Sequence, residues 1–397
     1  MKILYLTMSN ISSIKDRGIY TDLIRELHRR GNEVTVLTPI ERKYGQKTRL
    51  TIDNGVNLIK VRTGNLFNVG IVEKLFSRAG LCFRYTKAIR KICNNTHFDL
   101  VLFTTPPTTL VPIVKKYKEA GAYIYLMLKD IFPQNAADLG MMKQNGLAFR
   151  FFRKGEREMY KVSDTIGCMS PANMEFIRKQ DPWIDPYKIV LCPNSIEVEE
   201  KHISGSKTIL ERYDVPTNRL ILLYGGGLGK PQGIDFLMNA IRSCQTDKDV
   251  FFLIVGSGVY FGRLKSLEQE CKGSVKVIDW LPVEEYEQVV RSSDAGLVFL
   301  NHAFSIPNFP SRILNYMQEG LPIIAATDPN TDVGRIAQEN GFGIWCESND
   351  VEGFKNAVIA IKDKKAREEM GNKAFVYLKE HYSVRIVVDD ILNKVKK

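Results

Sequence analysis

The residues best suited to chemistry sit in Ile306–Ala326, IPNFPSRILNYMQEGLPIIAA. Pro307, Asn308 and Pro310 make an irregular lead-in, and Ser311 occupies the place of a helix N-cap. Ile313, Leu314 and Met317 recur at helical spacing, Gly320 ends the helix, and Ile323–Ala326 reads as a buried strand. A loop feeding a helix N-terminus presents free amides and a favourable dipole to an anion. Arg312 adds a guanidinium whose planar fork suits phosphate. The same window also describes an ordinary capped helix before a core strand, so an anion site needs partners elsewhere in the chain.

Those partners are glycine loops. Gly225–Gly233, GGGLGKPQG, follows the strand-like run Leu220–Tyr224, and Gly256-Ser257-Gly258 follows Val250–Val255. Glycine after a strand lets a ligand approach the backbone and leaves amides for phosphate oxygens. Three such loops, with Lys230 and Arg312 for charge, point to a diphosphate site. Pro282 sets a turn after Trp280-Leu281, where backbone groups can pair with a flat base. In the first half, Ala122–Leu128 runs straight into Lys129-Asp130, and open α/β sheets bind ligands at the carboxyl ends of their strands. As alternatives, Asp130 is a helix cap or a turn carboxylate.

Metal chemistry finds less support. Asp247-Lys248-Asp249 spells a DxD, but it precedes a strand rather than ending one and reads as a surface turn. The five histidines, His28, His97, His202, His302 and His381, do not cluster, and the seven cysteines form no CxxC pair. Free thiols in a reducing cytoplasm are expected, with no metal and no cofactor.

The elements that must position these groups alternate along all 397 residues. Lys2–Thr7, a helix from Ile19 and Glu33–Thr38 form a strand–helix–strand unit that lacks GxGxxG. Asn57–Arg62, Asp99–Thr104, Ala122–Leu128, Thr165–Met169 and Lys188–Cys192 continue the strands. The polar run Glu197–Lys207 reads as a linker, after which the alternation restarts. The pattern predicts an α/β fold of two facing, doubly wound, Rossmann-like domains. MKILYLTMS turns polar too soon for a signal peptide, and no apolar run reaches membrane-spanning length.

Charge narrows the partners. The net charge is +11. Residues 66–92 interleave Phe67, Val69, Ile71, Leu75, Phe76 and Phe83 with Lys74, Arg78, Arg84, Lys87, Arg90 and Lys91. Gly146–Lys161 repeats the pattern with Phe149, Phe151 and Phe152. Such basic amphipathic stretches suit an anionic bilayer, although a solvated basic helix face reads the same way. A basic nucleic-acid-binding protein is a rival reading, but no recognisable module supports it.

These motifs resemble a family. The second half is similar to the retaining nucleotide-sugar glycosyltransferases of the two-domain GT-B class, family 4. Within it, the likeness is to the branch that builds bacterial O-antigen and capsule chains, including N-acetylfucosaminyltransferases. The residues that carry it are the Gly225–Gly233 loop, VGSG at 255–258, DWLPVEEY at 279–286, SSDAGLVFL at 292–300, PSRILNYMQEGLPIIAA at 310–326 and GFGI at 341–344. KDIFPQNAADLG at 129–140 resembles an acceptor-side motif, and LCPNSIE at 191–197 an interdomain segment.

The resemblance implies an acceptor-binding domain over 1–198, a nucleotide-sugar-binding domain over 199–378, and a terminal helix at 379–397 that packs back on the first. It implies transfer of a sugar, N-acetylated in the nearest branch, from a UDP-sugar to an undecaprenyl-diphosphate-linked saccharide, with configuration retained. The enzyme is then expected in the cytoplasm, peripheral on the inner face of the membrane. Gly226, Gly227, Lys230, Gln232, Gly233, Gly256, Leu281, Ser311, Arg312 and Asn315 fall on the donor side. Gly18, Lys129 and Asp130 fall on the acceptor side, with Arg312 and Asp130 in catalytic roles. Two glutamates usual in the family are replaced by Pro307 and Asn315, and a usual lysine by Gln232. A sugar-nucleotide epimerase shares the fold and is the rival enzyme reading.

Overall fold

The computed structural model describes residues 1–66, 70, 73, 76–77, 80–93, 96–106, 108–200, 205 and 207–396. The chain divides into two compact units, Met1–Glu197 with Val384–Lys397, and Val198–Ser383.

The first unit holds an eight-stranded sheet in the order β3-β4-β2-β1-β5-β6-β7-β8. Its strands are β1 (Lys2–Leu6), β2 (Glu33–Glu41), β3 (Arg49–Asp53), β4 (Val56–Thr63), β5 (Leu100–Thr104), β6 (Tyr123–Leu128), β7 (Thr165–Cys168) and β8 (Ile189–Leu191). All pairs are parallel except β3 with β4. That hairpin turns at Asn54-Gly55, both at positive φ, the dipeptide chemistry such a turn selects. The chain runs outward from β1 to β2 and then returns to lay β5 on the other side, so the order reverses between β1 and β5.

The second unit holds a six-stranded parallel sheet in the order β11-β10-β9-β12-β13-β14. Its strands are β9 (Leu220–Gly225), β10 (Val250–Val255), β11 (Val275–Ile278), β12 (Ala295–Phe299), β13 (Ile323–Thr327) and β14 (Gly343–Glu347). β9, β10, β12 and β13 are buried along their whole length, because crossover helices cover both faces of a parallel sheet. The helix Ile234–Cys244 shows how: Ile234, Leu237 and Ile241 recur at helical spacing and are all buried. Each such side chain contributes about 1.5–3 kcal/mol when fully buried. Phe354 locks the layer, lying 5.4 Å from Phe299 and 6.4 Å from Phe252 between ring centroids. Here the order reverses between β9 and β12.

One expectation changes. The helix Lys364–His381 belongs to the second unit, so the terminal piece that joins the first unit begins at Val384 rather than 379. Val384, Val387, Val388 and Ile391 of the helix Val384–Val395 then enter the core of the first unit beside Ile3, Leu23 and Leu27. In the basic stretch 66–92, the described helix is Leu81–Ile92; Phe67, Val69, Ile71, Lys74, Leu75 and Arg78 lie outside the described residues. No helix among the described residues is long and apolar enough to cross a membrane.

Candidate functional site

The order reversal in the second sheet selects its carboxyl edge. Loops leaving β9 and β12 part there, the place at which open α/β sheets bind ligands. The loop after β9 is the glycine loop, and the chain after β12 leads to Arg312.

The glycine loop is held by close backbone contacts. A Cβ on Gly256 would lie 1.8 Å from the Gly226 carbonyl oxygen, and one on Gly258 would lie 2.4 Å from that of Leu228. Only glycine permits these approaches. The same packing occupies amides expected to be free: Gly226 N–H donates to Val255 at 2.9 Å and Gly256 N–H to Ile278 at 3.0 Å. Gly227 N–H and Ser257 N–H donate to no group among the described residues and remain available to an anion. Gln232 is turned inward, its Oε1 accepting from Gly229 N–H at 3.1 Å, so it shapes the loop. Gly233, at φ 57°, abuts the Leu300 carbonyl and closes the loop onto the next strand end. Lys230 is exposed on this loop, and its carbonyl accepts from Asn301 Nδ2 at 3.0 Å.

Arg312 lies against that loop. Its Cζ is 3.3 Å from the position of a Gly226 Cβ and 4.5 Å from the Tyr224 ring centroid. Nη1 is buried with no hydrogen-bond partner, and no carboxylate among the described residues pairs with the guanidinium. Its neighbours are Tyr224, Tyr286 and Tyr316. Burial pushes all three hydroxyls above the ordinary tyrosine value, against the opposing pull of the arginine cation, so they are neutral at neutral pH. The positive charge therefore stands uncompensated at a strand end.

The helix Arg312–Gln318 is short, and Ser311 departs from its expected role. Ser311 is itself in helical geometry and its side chain makes no capping bond. Its hydroxyl is exposed instead, on the same helical face as exposed Asn315. Leu281 buries its side chain, while its backbone N–H and C=O make no bond among the described residues. Beside it Trp280 is 68% exposed. The lead-in to Ser311 is held by a second loop: Asn308 N–H donates to Thr331 Oγ1 at 3.0 Å, and Thr331 Oγ1–H to Asp328 Oδ2 at 2.8 Å. Burial raises the Asp328 carboxyl to about 6 despite these bonds.

In the first unit, Lys129 and Asp130 leave the end of β6, and both amides donate to Thr105 Oγ1, at 2.9 and 3.0 Å. Lys129 Nζ lies 3.4 Å from the carbonyls of Cys192 and Pro193, and burial pulls its ammonium below the usual lysine range. Asn135 Nδ2 donates to Asp130 Oδ1 at 2.5 Å. Gly18 precedes the helix Ile19–Arg29, but its N–H is committed to the Asp22 carboxylate at 3.0 Å. Asp22 is itself buried and bonded to Arg25 and to Glu197 N–H. What Gly18 leaves to a ligand is the space a side chain would fill.

The aspartates of the DxD are bridged by Lys362, whose Nζ is 2.6 Å from Asp247 and 3.2 Å from Asp249 at the amino end of β10. Among the described residues no three His, Cys, Asp or Glu side chains gather to hold a metal. The three tyrosines escaped the sequence reading because each sits where a core residue belongs. The spacing of Arg312 and Tyr316, one helical turn, was the available signal.

Residues 206–376 match the profile of the family described as glycosyl transferases group 1. The chain is similar to the probable glycosyltransferase WbjE of Pseudomonas aeruginosa, 25% identical over 256 residues. That match spans 64% of this chain and 63% of the relative. It is 22% identical over 242 residues to the UDP-Gal:alpha-D-GlcNAc-diphosphoundecaprenol alpha-1,3-galactosyltransferase of Escherichia coli, covering 56% of this chain and 59% of that one. In structure it resembles sucrose-phosphate synthase from Thermosynechococcus elongatus, with a TM-score of 0.75, 15% identity and coverage of 99% and 98%. The glycine loop and Arg312 thus fall inside the segment that matches the glycosyl transferases group 1 profile, carried in a chain of the two-domain GT-B fold.

Proposed function

We propose that this protein is a retaining glycosyltransferase that moves a sugar from a UDP-sugar to a lipid-linked saccharide in bacterial surface-polysaccharide synthesis. The observation that carries the reading is Arg312, half-buried, its Nη1 enclosed without a hydrogen-bond partner and no carboxylate paired with it among the described residues, beside a glycine turn at the switch point. A buried uncompensated cation is costly unless a ligand brings the counter-charge, and a diphosphate does. As the glycosidic bond to the donor breaks, negative charge grows on the β-phosphate. Arg312, with the Gly227 and Ser257 amides, is positioned to stabilise that charge more in the transition state than in the ground state. Asn315 and Ser311 offer polar groups for the ribose or sugar hydroxyls, and the Leu281 backbone for the base. Asp130, oriented by Asn135, takes the acceptor hydroxyl's proton or orients it.

The relatives support the substrate class: the E. coli protein is named for UDP-galactose and a diphosphoundecaprenol acceptor. A membrane-bound acceptor fits the first unit's surface, where Phe83, Met141, Leu147 and Phe151 are exposed among Arg84, Lys87, Lys143, Arg150 and Lys154. That combination suits an anionic bilayer.

The test is transfer to lipid-linked saccharides with a panel of UDP-sugars. Arg312→Ala is expected to cut turnover by about 10²–10³-fold, as loss of an oxyanion donor does, with the fold intact by circular dichroism. Turnover within a few-fold of wild type would remove the proposed phosphate role.

A further inference from the structure

Buried arginines are ordinarily matched by carboxylates, as Arg153 is by Glu156 and Asp181 in the first unit. Arg312 is matched by aromatic rings. We propose that Tyr224, with Tyr286 and Tyr316, forms a positioning cage that holds the Arg312 guanidinium in a fixed orientation while leaving its charge free for the donor's diphosphate. This deepens the reading above and rests on it.

Three contacts carry the proposal. The Tyr224 ring lies under the guanidinium, Cζ 4.5 Å from its centroid, close enough for a cation–π contact. The Tyr224 hydroxyl donates to the Gly227 carbonyl at 2.9 Å, so the same side chain also fixes the glycine turn. The Tyr316 hydroxyl accepts from Gly225 N–H at 3.0 Å, tying the arginine's own helix to the end of β9. Tyr286 closes the group: its hydroxyl lies 1.9 Å from where a Gly225 Cβ would stand, so glycine there makes room for it. A carboxylate in place of these rings would hold the arginine as firmly, but would cancel the charge the diphosphate needs and repel the ligand. Neutral rings orient the cation at the cost of neither. One tyrosine thereby sets the distance between the two halves of the phosphate site, the turn and the guanidinium.

The experiment measures binding of UDP, inorganic pyrophosphate and uridine to the full chain by calorimetry, for wild type, Arg312→Ala, Tyr224→Phe and Tyr224→Leu. Tyr224→Phe keeps the ring over the guanidinium but gives up the hydroxyl's bond to the Gly227 carbonyl and is expected to weaken UDP about threefold; Tyr224→Leu loses both and is expected to weaken UDP and pyrophosphate about tenfold or more. Uridine, which has no phosphate, is expected to bind all four alike. If Tyr224→Leu does not fold, Tyr286→Leu, at a partly exposed position, is read by the same criteria. The cage is overturned if the leucine variant binds UDP as wild type does, if phenylalanine and leucine lose equally, or if uridine weakens alongside. Wild-type UDP binding that Arg312→Ala leaves unchanged would instead defeat the diphosphate site itself, and the cage with it.

Discussion

Burying a cation without a counter-ion costs several kcal/mol in the dry limit, and the cost is tolerated only where something offsets it. At Arg312 the partial offset is the Tyr224 ring face, worth about 0.5–2 kcal/mol. Asp328 carries the opposite sign and a different purpose. Its carboxylate accepts from Thr331 N–H at 2.9 Å, Asn330 N–H at 3.0 Å and the Thr331 hydroxyl, and Thr331 in turn holds Asn308. Its folded value of about 6 lies above the unfolded 3.8, so the native state holds the proton more tightly. Below the unfolded value the carboxyl is protonated in both states and nothing is lost. As pH rises from about 4 to about 6 the unfolded chain ionises this carboxyl while the folded chain still holds its proton, and stability falls by about 2–3 kcal/mol across that window. Asp328→Asn is expected to flatten this part of the profile, read as the denaturant midpoint of the second unit from pH 4 to pH 8; an unchanged slope would refute the assignment. Arg312 was legible in the sequence because a charged residue between prolines and an apolar helix breaks a pattern. Its tyrosines were not, since an apolar periodicity treats Tyr316 as one more core residue.

At the scale of elements, strand–loop–helix transitions do the positioning. The parallel strands were readable as short apolar runs ended by Gly, Pro or charge, and Val250–Val255 falls where the sequence placed it. The β3–β4 hairpin was missed because Arg49–Asp53 is exposed along most of its length and carries no buried signature. Ser311 stands at the N-cap position as read but makes no capping bond, because residue type says which side chain can cap, while backbone geometry decides whether it does. The glycine loops show the converse limit. Their composition announced a close approach, but what approaches Gly256 is first the Gly226 backbone and only then any ligand. Gly256→Ala is therefore expected to act on the fold as well as on binding. The added methyl meets a carbonyl that cannot rotate away, so the second unit should lose about 1–3 kcal/mol in denaturant unfolding, and UDP affinity should fall with it. Full stability in this variant would contradict the backbone contact.

For the molecule as a whole, one surface and one closure matter. Leu147 and Phe151 lie one helical turn apart, 87% and 72% exposed, with Arg150 and Lys154 beside them. Because they bury so little in the folded chain, Leu147→Ser with Phe151→Ser is expected to leave the melting temperature within about 2 °C, since surface changes cost within ±0.5 kcal/mol. Co-sedimentation with anionic vesicles should drop several-fold; unchanged binding would reject the interfacial surface. The closure is the chain's return to its beginning. After Ser383 the backbone rejoins the first unit, Val384 N–H donating to the Ile196 carbonyl at 2.9 Å, and Arg30 pairs with Asp389 at 2.9 Å. The surface ion pair contributes little. The four apolar side chains Val384, Val387, Val388 and Ile391, at most 2% exposed, contribute about 1.5–3 kcal/mol each, a sum comparable to the 5–15 kcal/mol that holds a domain folded. The first unit is thus completed by residues that follow the whole second unit in sequence. A chain ending at Ser383 is expected to lose the first unit's cooperative calorimetric transition and its amide protection in β1 and Ile19–Arg29. The second unit's transition should persist, since its core, Leu222, Phe252, Phe299 and Phe354 among others, draws on nothing beyond Ser383. Two intact transitions in the truncated chain would show that the terminal helix only decorates the first unit.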